Sequence, residues 1–300
     1  MSYVVFDLDQ TLADISVVFY FLMSLTIKAV IKEKQPYMLP YFSEELQERL
    51  MLAYYRFVER IAVEEKSEHP LGILRPGILG IMRKIKKMYK IIKSVTIYSN
   101  NQYLPSLIFI QDLIHCSIGE PIIQTCIHWN HPCRAFDHYT SPRITKTWDT
   151  LKHILVEQGA PADLKPEQVF FFDDQEHPTL HESLQNHYYK VPEYQSPDSF
   201  DRIALIYADC LEEAKVNIYD LYGYLTDVLE EEMIYQDVSK FTMTDLIDLL
   251  RKMTRITPWL NIGNGIRVMK SALQDIKIHH QVIHHHKIYT RKNRRHTIKK

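Results

Sequence analysis

The sequence predicts an α/β fold built on an open parallel sheet, with a helical insert after the first strand and a helical extension towards the C-terminus. Three observations predict it. Short runs at Tyr3–Phe6, Val95–Tyr98 and Gln168–Phe172 are rich in β-branched and aromatic residues, as strands buried on both faces are. Segments with apolar residues at helical spacing separate them, so strand and helix alternate. Glycine is scarce, at 8 of 300 residues, which leaves few positions for left-handed turns and favours helix.

The elements follow in order. Tyr3–Phe6 ends abruptly at Asp7. Leu12 to Lys34 reads as one helix, stopped before Pro36. Within it, Ile15 to Ile27 is uncharged but only thirteen residues long. A membrane span needs about 20 residues, so a buried helix or an amphipathic lid is expected instead. Ser43 is the predicted N-cap of a helix carrying Leu46, Leu50, Tyr54, Phe57 and Ile61 and ending near Glu65. Lys66–Gly72 is a polar linker. Arg75-Pro76-Gly77 opens a helix with Leu79, Met82, Ile85, Met88 and Ile92 on one face. After the strand ending at Tyr98, residues 103–118 read as helix and 121–128 as a short strand. Asn130–Pro142 is rich in turn formers, and Thr145–Gln158 is a helix closed by Gly159. Tyr188–Val191 is a further strand. Beyond Pro197, helices are predicted over 200–214, 216–234, 242–254 and 265–277, the third with Thr242 and Asp245 as a capping pair. The resulting division is a core over 1–195 holding an insert at about 14–70, a helical extension over 196–276 and a tail over 277–300.

Bulk properties are those of a globular chain, 46% hydrophobic and 24% charged. The net charge of -1 hides an asymmetry. The tail holds eight of the 36 basic residues and no acid, leaving 28 bases against 37 acids elsewhere. Six of the 15 histidines also lie in the tail. The plain expectation for it is a solvated, disordered terminus; the functional one is salt-sensitive contact with nucleic acid or an acidic partner, or a localisation signal near Arg291–Arg295. Four cysteines and no recognisable signal peptide point to a reducing, intracellular compartment, cytoplasmic or nuclear, rather than secretion. Much Ile, Tyr, Lys and His with little Gly resembles proteins of AT-rich genomes, large DNA viruses among them.

Polar groups end three of the predicted strands: Asp7 and Asp9, Ser99 and Asn100, Asp173 and Asp174. In an open parallel sheet, ligands bind beyond the carboxyl ends of the strands, near the point where strand order reverses. Side by side, these ends gather carboxylates and a hydroxyl in one crevice. Clustered carboxylates are costly without a cation, and a donor set of oxygens alone favours a hard one such as Mg²⁺. One Asp-x-Asp after a strand would be read as a turn. Two strand-terminal acid pairs and a strand-terminal serine make chemistry the better reading.

Asp7-Leu8-Asp9-Gln10-Thr11 resembles the D-x-D-x-T signature of haloacid dehalogenase-type phosphatases. Ser99, Lys146 and Asp173-Asp174 resemble their second, third and fourth motifs in order and spacing, over roughly residues 1–195. The resemblance implies a three-layer α/β/α, Rossmann-like fold. It implies Asp7 as nucleophile, Asp9 as general acid and base, and Lys146 as the catalytic cation. It places Thr11, Ser99 and Asn100 beside the substrate, Thr11 through a hydrogen bond within the catalytic loop. It implies Mg²⁺ held by Asp7, Asp9 through its backbone carbonyl, Asp173 and Asp174. Leu74-Arg75-Pro76-Gly77 before an amphipathic helix is similar to small phosphatases of the RNA polymerase II C-terminal domain. Gln10 stands where those carry an acid, and the insert is longer than theirs.

The first functional expectation is therefore a Mg²⁺-dependent phosphatase acting on phosphoserine or phosphothreonine in proteins. A small-molecule or nucleic-acid-end phosphatase on the same scaffold, and a binding module without activity, are the alternatives. Cys126, His128, His131 and Cys133 lie close in sequence, but C-x-H-x2-H-x-C is no finger spacing. Buried cysteines and surface histidines are the plain reading there, and a zinc site the alternative. His177, His181 and His187 are read as surface or substrate-rim residues.

Overall fold

A computed structural model describes residues 1–134, 146–197, 199–229, 241–254, 267–278 and 280–281. Most of the basic tail, including Arg291–Arg295, lies outside the described residues, as do parts of the predicted turn at 130–142 and of the helices predicted at 216–234 and 265–277.

Five strands form one parallel sheet: β1 (Ser2–Phe6), β2 (Ile92–Tyr98), β3 (Thr125–Ile127), β4 (Val169–Asp173) and β5 (Tyr188–Lys190). Their order is β3-β2-β1-β4-β5. The chain builds outward from β1 on one side and then on the other, so the order reverses at β1. Phe6 stands level with Ile97 on β2 and Phe172 on β4. Asp7, Tyr98 and Asp173 follow at the same height.

Side chains alternate between two apolar layers, as the two-residue period of a strand requires. Val4, Phe6, Ile97 and Phe172 face one layer; Tyr3, Val5, Tyr98 and Phe171 face the other. Helices cover both, making a three-layer α/β/α fold. The second layer is closed by α6 (Trp148–Glu157) and α7 (Pro178–Leu184) through Leu151, Ile154, Leu180 and Leu184.

The first layer is much larger. It takes the insert helices α1 (Phe19–Leu25), α2 (Ile27–Lys34) and α3 (Glu44–Glu64), then α4 (Ile78–Lys87) and α5 (Leu104–Ile118). It also takes α8 (Phe200–Glu213), α9 (Ile218–Leu229), α10 (Met243–Met253) and the helix over 267–278. Ser43 caps α3 by accepting from the Leu46 N–H at 3.0 Å, and Thr242 with Asp245 forms a capping box on α10. Among the described residues, no helix is long and apolar enough to cross a membrane.

Some boundaries differ from the sequence reading. The segment predicted as one helix from Leu12 to Lys34 starts only at Phe19 and breaks at Thr26. Residues before Phe19 fold back on the strand end, where the N–H groups of Leu12 and Ala13 both donate to the Leu8 carbonyl. At the break, the Thr26 hydroxyl bonds the Leu22 carbonyl and also meets the Tyr103 hydroxyl, so a tertiary contact competes with the helix ladder. Ile92, predicted on the face of α4, begins β2 instead; α4 stops at Lys87 and the chain turns at Met88. The strand predicted over 121–128 shrinks to Thr125–Ile127, although Ile122 and Ile123 before it are buried.

Candidate active site

The sheet register brings the predicted strand-end residues together. The Asp7 N–H donates to the Phe172 carbonyl at 2.8 Å, which fixes the start of the first loop against β4. Oxygens of Asp7, Asp173 and Asp174 all lie within 4.8 Å of one another. Asp7 is 6% exposed and Asp173 1%. Lys146, from the loop before α6, reaches between them: its Nζ donates to Asp7 at 2.5 Å and to Asp173 at 2.6 Å, and the residue is 1% exposed. The fully buried rings of Tyr98 and Phe171 flank the ammonium. Sequence spacing placed Lys146 at the start of the helix; it precedes the Thr147 cap, outside α6.

Electrostatics follow from this crowding. Burial, joined by the charges of Asp173 and Asp9, pushes Asp7 well above the ordinary carboxylate range, with Lys146 pulling the other way. Burial also pushes Asp173 up, but the Lys146 ammonium and His177 together outweigh it and leave this group below its ordinary value. Asp174 is raised to about 6 by burial and by Asp173, against a hydrogen bond from the Thr11 hydroxyl at 3.0 Å. Three carboxylates thus share one ammonium. The donors are all oxygens and their charge is under-compensated, which fits a hard divalent cation.

Asp9 turns the other way. Its carboxylate accepts from Ser99 Oγ at 3.3 Å and from Asn101 Nδ2 at 3.3 and 3.4 Å. Burial raises it above its ordinary value, and those two hydrogen bonds oppose the shift. By the resemblance, Asn100 is expected on the substrate side. In the structure the Asn100 side chain accepts from Arg134, and its neighbour Asn101 meets Asp9. Arg134 is fully buried between the Tyr98 and Trp129 rings and also donates to the Ser99 carbonyl at 2.7 Å, so it holds the loop after β2.

The loop carrying Asp9 to Thr11 is held from outside. Gln10 has φ of 58°, a left-handed conformation that a residue with a Cβ adopts only under constraint. Arg75, buried to 2% exposure, supplies the constraint. Its Nε donates to the Thr11 carbonyl at 2.6 Å, and its guanidinium also bonds the Gln10 carbonyl and the Pro192 carbonyl. Burial pulls Arg75 down to about 10, which leaves it charged at neutral pH. On the far side, the Asp174 N–H donates to the Thr11 hydroxyl at 2.9 Å.

His177 departs from the surface or substrate-rim position expected for it. It is 3% exposed, not on a rim: its Nδ1 accepts from the Lys146 N–H at 3.3 Å and its Nε2 lies 3.3 Å from Asp173. It lies four residues past Asp173, at the N-cap position of the next helix, Pro178–Leu184. His181 is half exposed beside Glu176, and His187 stacks on Phe170. Of the candidate zinc residues, Cys126 points to the Leu107 carbonyl, while Cys133 meets His153 and Glu157. The four do not converge.

Two cavities border these elements. One of about 350 Å³ is lined by Asp9, Gln10, Asp14, Ile15, Ser16, Phe19, Tyr20 and Met253. A larger apolar groove, about 720 Å³, runs between α2, α3 and the start of α5. Asp7, Asp173 and Asp174 line neither of the two; Asp9 lines the smaller, which is therefore the one that adjoins the site.

No family profile matches the chain, and no curated protein matches it by sequence. Among solved structures it is similar to CbbY from Rhodobacter sphaeroides in complex with phosphate, at 16% identity over 66% of this chain and 89% of that one, TM-score 0.33. It is also similar to a HAD-superfamily hydrolase of subfamily IA from Geobacter sulfurreducens, at 16% identity over 69% and 96%, TM-score 0.31. Likenesses this loose carry no argument; the fold rests on strand order and the site on its side chains.

Proposed function

We propose that this chain is a Mg²⁺-dependent phosphomonoester hydrolase of the haloacid dehalogenase type, working through an aspartyl-phosphate on Asp7. The observation that carries the reading is the buried cluster at the reversal point of the sheet, where Lys146 bridges Asp7 and Asp173 with Asp174 beside them. A structural ion pair needs one acid and one base. Three carboxylates around one lysine leave negative charge that a fold has no stability reason to bury.

In this reading an Asp7 oxygen attacks phosphorus as the bond to the leaving oxygen breaks, and Asp9 gives that oxygen a proton. Water then attacks the phosphoryl group. Asp9 takes a proton from it, phosphate leaves and the Asp7 carboxylate is restored. Burial suits Asp9 to both steps, because its raised pKa keeps the protonated form accessible. Lys146 and the Ser99 hydroxyl stabilise charge on the phosphoryl oxygens. Asp7, Asp173 and the backbone carbonyl of Asp9 would hold the ion, with Asp174 sharing it or supporting it from behind. Bound there, Mg²⁺ would supply positive charge to offset that of the phosphoryl group.

The first substrate reading is phosphoserine or phosphothreonine in proteins. A specific observation favours the second, a small-molecule phosphomonoester. The insert residues Ile15, Phe19 and Tyr20, with Met253 from the C-terminal helices, wall the approach to Asp9 into a cavity. The decisive measurement is phosphate release from a panel of phosphopeptides, nucleotides, phosphorylated nucleic-acid ends and small phosphomonoesters, with Mg²⁺ and with chelator. Turnover that needs Mg²⁺ is expected for the wild type and none for Asp7→Asn, whose folding is checked by circular dichroism. Turnover by a folded Asp7→Asn protein would remove Asp7 from the mechanism.

A further inference from the structure

The cavity beside Asp9 lies to one side of the clustered carboxylates, none of which lines it. Its volume of about 350 Å³ is near the lower end of the ~300–1,000 Å³ usual for small-molecule sites. Asp9 is the one member of the proposed catalytic pair on its wall, and Asp9 faces the leaving oxygen in the reading above. Whatever fills the cavity is therefore the leaving alcohol, not the transferred phosphoryl group.

The wall has a definite chemistry. Phe19 and Tyr20 are both half-buried and pack edge to face at 5.2 Å, and Phe19 packs the same way on Tyr103 at 5.6 Å. Ile15 lies beside them, and half-buried Met253 closes the wall from the last position of α10. Met253 is held there by the packing of Leu246 and Leu250 in the core and by Arg251, which pairs with Asp201 and lies over the Phe200 ring. The acidic side chains on the wall are Asp9, the proton donor in the reading above, and Asp14; among the described residues lining the cavity there is no lysine or arginine. Asp14 is fixed by the N–H groups of Ser16 at 3.0 Å and Ser196 at 2.8 Å, so its charge stays at the rim.

We propose that this cavity is the leaving-group subsite, formed jointly by the insert and the C-terminal helix α10, and that it selects phosphomonoesters of uncharged or cationic alcohols bearing an aromatic or apolar group. Aromatic faces and a thioether supply contact area. The Asp14 carboxylate repels a second anionic group, such as the carboxylate of a phosphorylated hydroxy acid or the other phosphate of a bisphosphate. The proposal rests on the phosphatase reading and refines it.

Benzyl, ethyl and 4-carboxybenzyl phosphate test it, since their leaving alcohols differ little in basicity. The wild type is expected to favour benzyl over ethyl phosphate in kcat/KM by about tenfold or more, and benzyl over 4-carboxybenzyl phosphate by a similar factor. In Phe19→Ala and Met253→Ala the benzyl-to-ethyl ratio should collapse, mainly through KM. Met253 ends a helix, so its variant keeps the test open should Phe19→Ala misfold. Equal turnover of benzyl and 4-carboxybenzyl phosphate, or an unchanged ratio in folded variants, overturns the subsite. Calorimetric binding of benzylphosphonate against 4-carboxybenzylphosphonate separates the two readings. Selective binding without any phosphatase activity keeps the subsite and removes the hydrolase; turnover without selectivity does the reverse.

Discussion

Replacing Lys146 by methionine keeps the length and apolar stem of the side chain and deletes its charge. The wild-type ammonium sits 2.5 Å from Asp7 and 2.6 Å from Asp173 with 1% exposure. At an effective dielectric constant of ~20, each contact is worth about 6 kcal/mol in gross Coulomb attraction. Removing three ions from water costs several kcal/mol each, so the net gain is far smaller. Truncation, however, leaves both carboxylates buried without their cation, and stranding a buried partner typically costs about 3–5 kcal/mol. That is the expected loss in urea unfolding at about pH 8 without divalent metal.

The pH dependence has a definite sign. Lys146, with His177, holds Asp173 below its ordinary value of 3.8, so this contribution is present above that value and is lost as pH falls through the lower folded one. Lys146 itself is raised above 10.5, because its two carboxylates outweigh burial, and its share is lost only as pH rises through that raised value. The wild-type advantage should form a plateau across neutral pH and shrink in acid, where protons replace the missing ammonium. Mg²⁺ should recover part of the loss in Lys146→Met, and kcat should fall about 10²–10³-fold. A variant as stable as wild type at about pH 8 without metal, with an unaltered pH profile, would refute the electrostatic account of the cluster.

Glu65 gives a second pH prediction. Burial pushes it to about 7 against hydrogen bonds from the 72–74 backbone, including the Ile73 N–H at 2.8 Å. The folded state therefore holds an extra proton between the unfolded value near 4.5 and about 7, and stability falls as pH rises through that window. Glu65→Gln keeps an acceptor for Ile73, so its stability relative to wild type should rise between about pH 5 and pH 8 in denaturant titrations. Arg75→Lys cannot serve the Gln10, Thr11 and Pro192 carbonyls together; a loss of about 2–4 kcal/mol and a lower kcat are expected from unfolding and kinetics. At Gly72, φ is +80° and an added Cβ would stand 2.6 Å from Pro197 Cδ, so Gly72→Ala should lose roughly 2–4 kcal/mol in the same unfolding assay.

Much of the site was legible in the chain because strand ends carry their own signal. An apolar run stopped by Asp7, by Ser99 or by Asp173-Asp174 marks both the strand and the end at which polar side chains gather, and parallel pairing then sets those ends level. Local periodicity likewise announced α3 with its Ser43 cap and α10 with its Thr242 capping box. Other features depended on contacts between residues far apart. Which of two adjacent asparagines meets Asp9 follows from Arg134 holding Asn100, across 34 positions. The break at Thr26 answers to Tyr103, and the strained Gln10 answers to Arg75.

The sequence alone determined the parallel α/β class and the identity of the strand-end carboxylates, since these follow from side-chain period and from residue type at a strand end. Tertiary structure alone decided that His177 is buried against Asp173 and that Met253 closes the cavity beside Asp9. The reason is physical. Periodicity reports which face of an element is apolar, but the partner that covers that face is chosen by packing over the whole chain.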